Sequence, residues 1–147
     1  MYNKGNKMGN FDKKLEKFWE IFYEHEGYTK VLTGLNNTLY IAIVGLVIGI
    51  IIGTLIAIVK VFPKYKRLPK ILDGICTFYV GLFRGTPVVV QLLVTYYVFL
   101  PLIGVNMPAL NVCVLVFGMN SGAYVSEIMR GGIMSVDPGQ MEAGRAL

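Results

Sequence analysis

The sequence of this 147-residue chain predicts an all-α membrane protein with three transmembrane helices. Three features carry that prediction. Thr38 to Val59 is continuously apolar and uncharged, and ~20 such residues are enough to cross a hydrocarbon core. Two further apolar stretches follow, one before and one after the uncharged segment from Pro101 to Pro108. The formal charge of +5 is concentrated after the first stretch, at Lys60, Lys64, Lys66, Arg67, Lys70 and Arg84, with only Asp73 opposing. Basic residues near span ends mark the cytoplasmic side. Residues 60–84 are therefore expected inside and the N-terminus outside, in a multi-pass cell-membrane protein.

Taken in order, residues 1–33 read as a polar arm. Residues 1–10 are expected to be disordered, and the arm balances six lysines against five acids. Phe11, Leu15, Phe18, Trp19, Phe22 and Tyr23 fall at helical spacing and predict an amphipathic helix. It could lie in the lipid headgroups or on the protein's own surface. His25, between two glutamates, reads as solvated. No apolar core and cleavage site mark the arm as a signal peptide.

The membrane domain is expected over 34–147, with spans at about 38–60, 87–102 and 109–130. In the first span Gly45, Gly49, Gly53 and Ala57 share one helix face, a pattern that lets a neighbouring helix approach closely. Residues 71–104 would make a single helix of about 50 Å, longer than a bilayer core. Arg84-Gly85-Thr86-Pro87 is the expected break, with Thr86 as helix cap and Pro87 at the first turn. Residues 68–83 then form a cytoplasmic or interfacial helix. Tyr96, Tyr97 and Phe99 suit an outer aromatic belt, and Pro101 and Pro108 bracket an outside turn. The third span is expected to break at Gly131-Gly132. A short helix resumes at Asp137-Pro138-Gly139-Gln140, where Asp137 caps, Pro138 starts the turn and Gln140 completes a capping box.

Polar side chains within spans usually face a bundle interior or a cavity. Gln91 and Thr95 lie four apart in the second span; Asn120, Tyr124 and Glu127 align in the third, beside Ser121. They read either as lining of a translocation path or as hydrogen-bonding glue between helices. Glu127 and Arg130 are spaced to pair along the helix. Cys76 and Cys113 lack metal spacing and read as small buried hydrophobes, with no disulfide. No phosphate-binding loop, nucleophile–base set or metal cluster occurs in the sequence, so the chain is expected to be neither an ATPase nor another enzyme, and to bind no metal. The placement of the basic residues at span ends argues against a nucleic-acid partner.

Three separated stretches resemble one family in its own order. FRGTPVVVQLLVTYYVFLP at 83–101, MNSGAYVSEIMRGGI at 119–133 and DPGQMEAGRAL at 137–147 are similar to permease subunits of polar amino-acid ABC importers, the histidine, glutamine, arginine and cystine type. GLNNTLYIAIVG at 34–45 is similar to that family's first span. The resemblance implies an all-α permease whose 131–147 loop couples to a cytoplasmic ATPase through Asp137, Pro138, Gly139, Gln140, Glu142, Ala143 and Gly144. In the family's motif a second alanine stands where this chain has Gly144, and a glycine would follow at position 148. Further spans would follow too, so the chain reads as an N-terminal fragment. Implied partners are the ABC ATPase, a second permease subunit, an extracytoplasmic amino-acid-binding protein and membrane lipid. No cofactor is expected on this chain; ATP and Mg belong to the ATPase. A permease for another solute, such as methionine or glycine betaine, is the nearest rival. A membrane sensor or scaffold using the basic segment on anionic lipid is a rival of another class.

Overall fold

The computed structural model describes residues 10–24, 26–62 and 67–146, apart from the side chains of Asn10, Glu24, Pro138, Met141 and Ala143. The readings of residues 1–9, His25, Lys64 and Lys66 lie outside those residues. The chain divides into two compact units, Met1–Leu39 and Tyr40–Leu147.

In the first unit α1 spans Asn10–Trp19 and continues as a wider π-helical turn over Glu20–Glu24. The aromatic stripe packs on itself along this helix. Phe18 stacks on Phe22 at 5.7 Å and Trp19 on Tyr23 at 5.5 Å between ring centroids. Helix α2 runs from Gly27 to Val61, crossing from the first unit into the second. It starts eleven residues before the expected span (38 − 27). Hydropathy marks where a helix turns apolar, not where it begins. The first turns of α2 are polar but helix-compatible: Thr29, Thr33 and Thr38 each donate a hydroxyl to a carbonyl three or four residues back, a bond that a helix tolerates.

The second unit contains the rest of α2 and four more helices among the described residues: α3 (Arg67–Gly85), α4 (Val88–Leu102), α5 (Ala109–Met134) and α6 (Pro138–Ala146). The expected break is present, and the chain bends by 106° there between α3 and α4. Its cap differs from expectation. Pro87 itself is the extended residue before α4, and Thr86 turns its hydroxyl back to the Leu82 carbonyl at 2.7 Å. Helix α4 alone is about 22 Å long at 1.5 Å per residue, short of a ~30 Å core. Helices α2 and α5 are each long and apolar enough to cross a membrane, and α3 with α4 makes a third candidate only when taken as one broken span.

Within α4, Thr95–Phe99 is π-helical. Pro101 accounts for it: a proline in a helix interior crowds the carbonyl four residues back and removes its donor, and a widened turn relieves both. The helix therefore passes through Pro101 and ends at Leu102, with Ile103 as its cap. There Gly104 adopts φ +70°, its amide donates to Pro101 O at 3.1 Å, and the Val105 amide donates to Leu100 O at 3.0 Å. That paired pattern requires the left-handed conformation that glycine supplies. Leu100, Val112 and Val116 form a small core between α4 and α5, with Val88, Leu92 and Met107 against it.

Helix α5 does not break at Gly131-Gly132, contrary to expectation, but continues to Met134. Each glycine costs about 1 kcal/mol of helix propensity, which does not end a helix whose amides still find carbonyls. The Ser135 amide bonds Gly131 O at 3.0 Å and its hydroxyl bonds Gly132 O at 2.8 Å. The chain leaves the helix just before Asp137-Pro138, because a residue preceding proline is pushed out of the helical region.

Candidate functional site

Pro87 determines the chemistry at the bend. In a continuous helix the amide of residue 87 would donate to Phe83 O, four residues back. Proline has no amide hydrogen, so that partly buried carbonyl loses its helical donor, and such a group must find another partner. Side chains supply it. Gln91 Nε2 lies 2.9 Å from Phe83 O, 3.0 Å from Thr86 O and 2.8 Å from Thr86 Oγ1. From α5, Asn120 Nδ2 donates to Phe83 O and to Gln91 Oε1, both at 3.2 Å. Tyr79 on α3 adds a 2.6 Å hydrogen bond from its hydroxyl to Met119 O of α5.

One turn and more further along α5, four charges converge. Glu127 accepts from Lys60 Nζ at 2.7 Å, and Arg130 contacts its two oxygens at 3.3 and 3.1 Å. Arg84 Nη1 lies 3.8 Å from Glu127 Oε2. Arg84 also sits over the Tyr124 ring, 5.3 Å from its centroid, an attractive cation–π geometry. A single carboxylate thus ties the ends of α2 and α3 to α5. The Lys60 and Glu127 side chains are only 12% and 20% exposed, so their pairing is less screened than a surface ion pair.

The opposite face of α5 meets α2 through small residues. A Cβ placed on Gly49 would lie 2.5 Å from Ser121 Cβ, and one on Gly53 would lie 2.7 Å from Val125 Cβ and 3.0 Å from Gly122 O. Gly118 and Gly122 return the contact against Ile48 and Ile52, each at 2.9 Å. Gly45 faces Gly118 and Phe117 at 3.6 Å. These helices meet at backbone distance, which only residues without side chains permit.

The residues singled out in the sequence therefore separate into groups. Gln91 and Asn120 meet directly; Tyr124 and Glu127 meet through Arg84. Thr95 lies beside them, in an open cleft of about 260 Å³ with Leu82, Phe83, Thr86, Val90, Gln91 and Val94. Ser121 is turned instead to Gly49 of α2. On α6 the Asp137 carboxylate caps the Gly139 amide at 2.8 Å, while Gln140 contributes its backbone amide to Asp137 O at 3.0 Å. Gly139, Gln140, Glu142 and Gly144 are exposed. Cys76 and Cys113 are free and partly buried. Among the described residues no three side chains of metal-binding type converge.

Sequence reasoning pairs Glu127 with Arg130 but misses Lys60, Arg84 and Tyr79. A signal exists for the first two. The charge pattern places both at the same membrane boundary as Arg130, where an acid on α5 can meet all three cations. The role of Gln91 is also readable, since it lies one turn after the proline whose missing hydrogen it replaces.

The description "binding-protein-dependent transport system inner membrane component" belongs to a family whose model matches residues 45–147. The chain is similar to the putative glutamine transport system permease protein GlnP of Rickettsia prowazekii (strain Madrid E), 38% identical over 130 residues that cover 86% of this chain and 57% of that protein. It is similar to the arginine transport system permease protein ArtQ of Bacillus subtilis (strain 168), 39% identical over 117 residues, 80% of this chain and 51% of that one. A crystal structure of an amino acid ABC transporter with histidines matches with a TM-score of 0.71 at 38% identity, over 85% of this chain and 56% of that chain. The chain spans about half the length of the curated relatives it matches.

Proposed function

The chain belongs to the family of binding-protein-dependent transport system inner membrane components, and we propose that it forms the permease part of an ATP-driven importer of polar amino acids. The observation that carries this reading is the family match over residues 45–147. The substrate class follows from relatives named for glutamine and arginine transport. ATP hydrolysis falls to a separate cytoplasmic ATPase, with ATP and Mg held there. An extracytoplasmic binding protein delivers substrate, and a second permease subunit completes the path. Residues 60–84 and 131–147 face the cytoplasm, in keeping with the basic residues at those span ends.

Coupling runs through α6. Its capped N-terminus and exposed Glu142 and Gly144 suit a helix that enters a groove on a partner. Only residues 135–137 separate it from α5. A displacement of α6 on ATP-driven closure of the ATPase would therefore reach α5 with little slack. Through Glu127 the same displacement acts on the ends of α2 and α3. The cleft beside Thr95 and Gln91 is where the path would be lined.

The test is uptake in proteoliposomes holding the full-length chain, its ATPase and its binding protein. ATP-dependent accumulation of glutamine, arginine, histidine or cystine, and no accumulation without ATP, is expected. Uptake of methionine or glycine betaine alone would overturn the substrate class, and no ATP-dependent uptake of any of them would overturn the transport reading.

A further inference from the structure

The geometry at the bend points to a role for Gln91 and Asn120 that is distinct from touching substrate: they are positioning residues, an amide clasp that holds α3 and α4 at their angle and ties that angle to α5. The amide hydrogens of the Gln91 and Asn120 side chains face acceptors at the bend. Gln91 Nε2 faces Phe83 O, Thr86 O and Thr86 Oγ1, so its two hydrogens are shared among three acceptors on the α3 side of the break. Asn120 Nδ2 reaches Phe83 O before the break and Gln91 Oε1 after it. No buried polar atom of a described side chain is left unsatisfied. A substrate acceptor would have to take hydrogens from the Phe83 carbonyl, whose helical donor Pro87 has removed, and leaving such a group unsatisfied is costly.

Pro87 makes the angle possible but does not choose it. A missing amide hydrogen and a crowded carbonyl permit a range of kinks. What selects 106° is where the donors stand. Gln91 holds the angle from within α4. Asn120 holds it from α5 by two bonds, each already at 3.2 Å, near the outer limit for an N–H···O contact. A slide of α5 by about 1 Å would break the Asn120 pair and leave Gln91 alone. The bend is thus firm while α5 stays in place and loosens when α5 moves. This role does not depend on which solute is carried, and its test reads a distance, so its failure and that of the transport reading are distinguishable.

The experiment places nitroxide labels at the exposed positions of Leu68 and Leu102, as Leu68→Cys and Leu102→Cys, in a chain carrying Cys76→Ala and Cys113→Ala, in lipid nanodiscs. At the helical rise per residue, a continuous helix would separate the two sites by about 50 Å. Arms of the same rise joined at the observed bend leave them about 30 Å apart. The starting protein should give one narrow distribution at the shorter distance. Gln91→Leu should broaden it and add a population shifted by about 10 Å or more towards the straight-helix separation. Asn120→Ala should broaden it less. Adding Pro87→Ala to Gln91→Leu returns a backbone donor to Phe83 O only in the straight form, so it should move the population towards the longer distance. Gln91→Glu keeps the shape but turns a carboxylate on two carbonyl oxygens, and should behave like Gln91→Leu. If Gln91→Leu does not accumulate in the membrane, Asn120→Ala and Gln91→Glu carry the test. A distribution unchanged from the starting protein in Asn120→Ala, or in either Gln91 variant that accumulates, would overturn the clasp.

Discussion

Helix α5 presents two unlike faces to its neighbours. Towards α2 it offers Gly118, Ser121, Gly122 and Val125 to a row of glycines, and contact is made by the closeness of two backbones. Its other face offers Asn120, Tyr124 and Glu127, which reach α3, α4 and, through Lys60, the end of α2 by hydrogen bonds and charges, beside the small apolar core shared with α4. The first kind of seam has one register. Sliding it by a residue would drive Ile48 or Val125 into a neighbouring backbone, so it behaves as a fixed hinge plate. The second kind is a set of directional bonds that can be exchanged for water or for one another.

The packed seam is vulnerable at Gly53. Any Cβ there meets Val125 at 2.7 Å and the Gly122 carbonyl at 3.0 Å, and a carbonyl cannot rotate away as a side chain would. Gly53→Leu should force α2 from α5 and cost on the order of 3 kcal/mol, as overpacking of a tight seam does at its upper range. The melting temperature of the purified chain in detergent measures it. An unchanged melting temperature would mean that the seam is looser than the contacts imply.

A smaller effect is expected on the polar face. Glu127→Gln keeps the shape and removes the one carboxylate that Lys60, Arg84 and Arg130 share. The loss should be about 1–2 kcal/mol, between that of an exposed and of a buried ion pair. Because Arg84 retains the Tyr124 ring, the chain should still insert and fold. Its signature should be greater accessibility of Lys60 to an amine-reactive probe rather than a collapse of the fold. Equal melting losses in Gly53→Leu and Glu127→Gln would erase the distinction between the two faces.

How far the sequence reaches follows the same division. The glycine row on α2 is legible because a four-residue repeat in an uncharged helix has few other meanings. The break after Gly85 is legible from Arg84-Gly85-Thr86-Pro87 and not from length, since α2 runs unbroken for 35 residues. Glu127 with Arg130 is legible because both lie on one turn. What escapes is long-range: Lys60 and Arg84 are 67 and 43 residues from Glu127 (127 − 60 and 127 − 84), and nothing local announces that they meet it. Gln91 has a clue in its place one turn after Pro87, but Asn120 stays open between lining a path and binding helices together, because it meets Gln91 from 29 residues away. Gly131-Gly132 suggests a stop but is only a weak stretch of helix, since propensity differences of about 1 kcal/mol yield to a continuing hydrogen-bond ladder.

If α6 passes the work of an ATPase to α5, substrate-stimulated ATP hydrolysis by the assembled importer must depend on the chemistry of α6. Ala143→Leu and Glu142→Lys alter that helix in bulk and in charge. Gly144→Ala serves as control, expected to be tolerated or to strengthen the helix by up to about 1 kcal/mol. The first two variants should reach the membrane in normal amount, retain little of the ATPase on purification and lose most of the substrate-stimulated hydrolysis, while Gly144→Ala keeps both. Full ATPase association and full stimulation in Ala143→Leu and Glu142→Lys would contradict this coupling and leave α6 an ordinary surface helix.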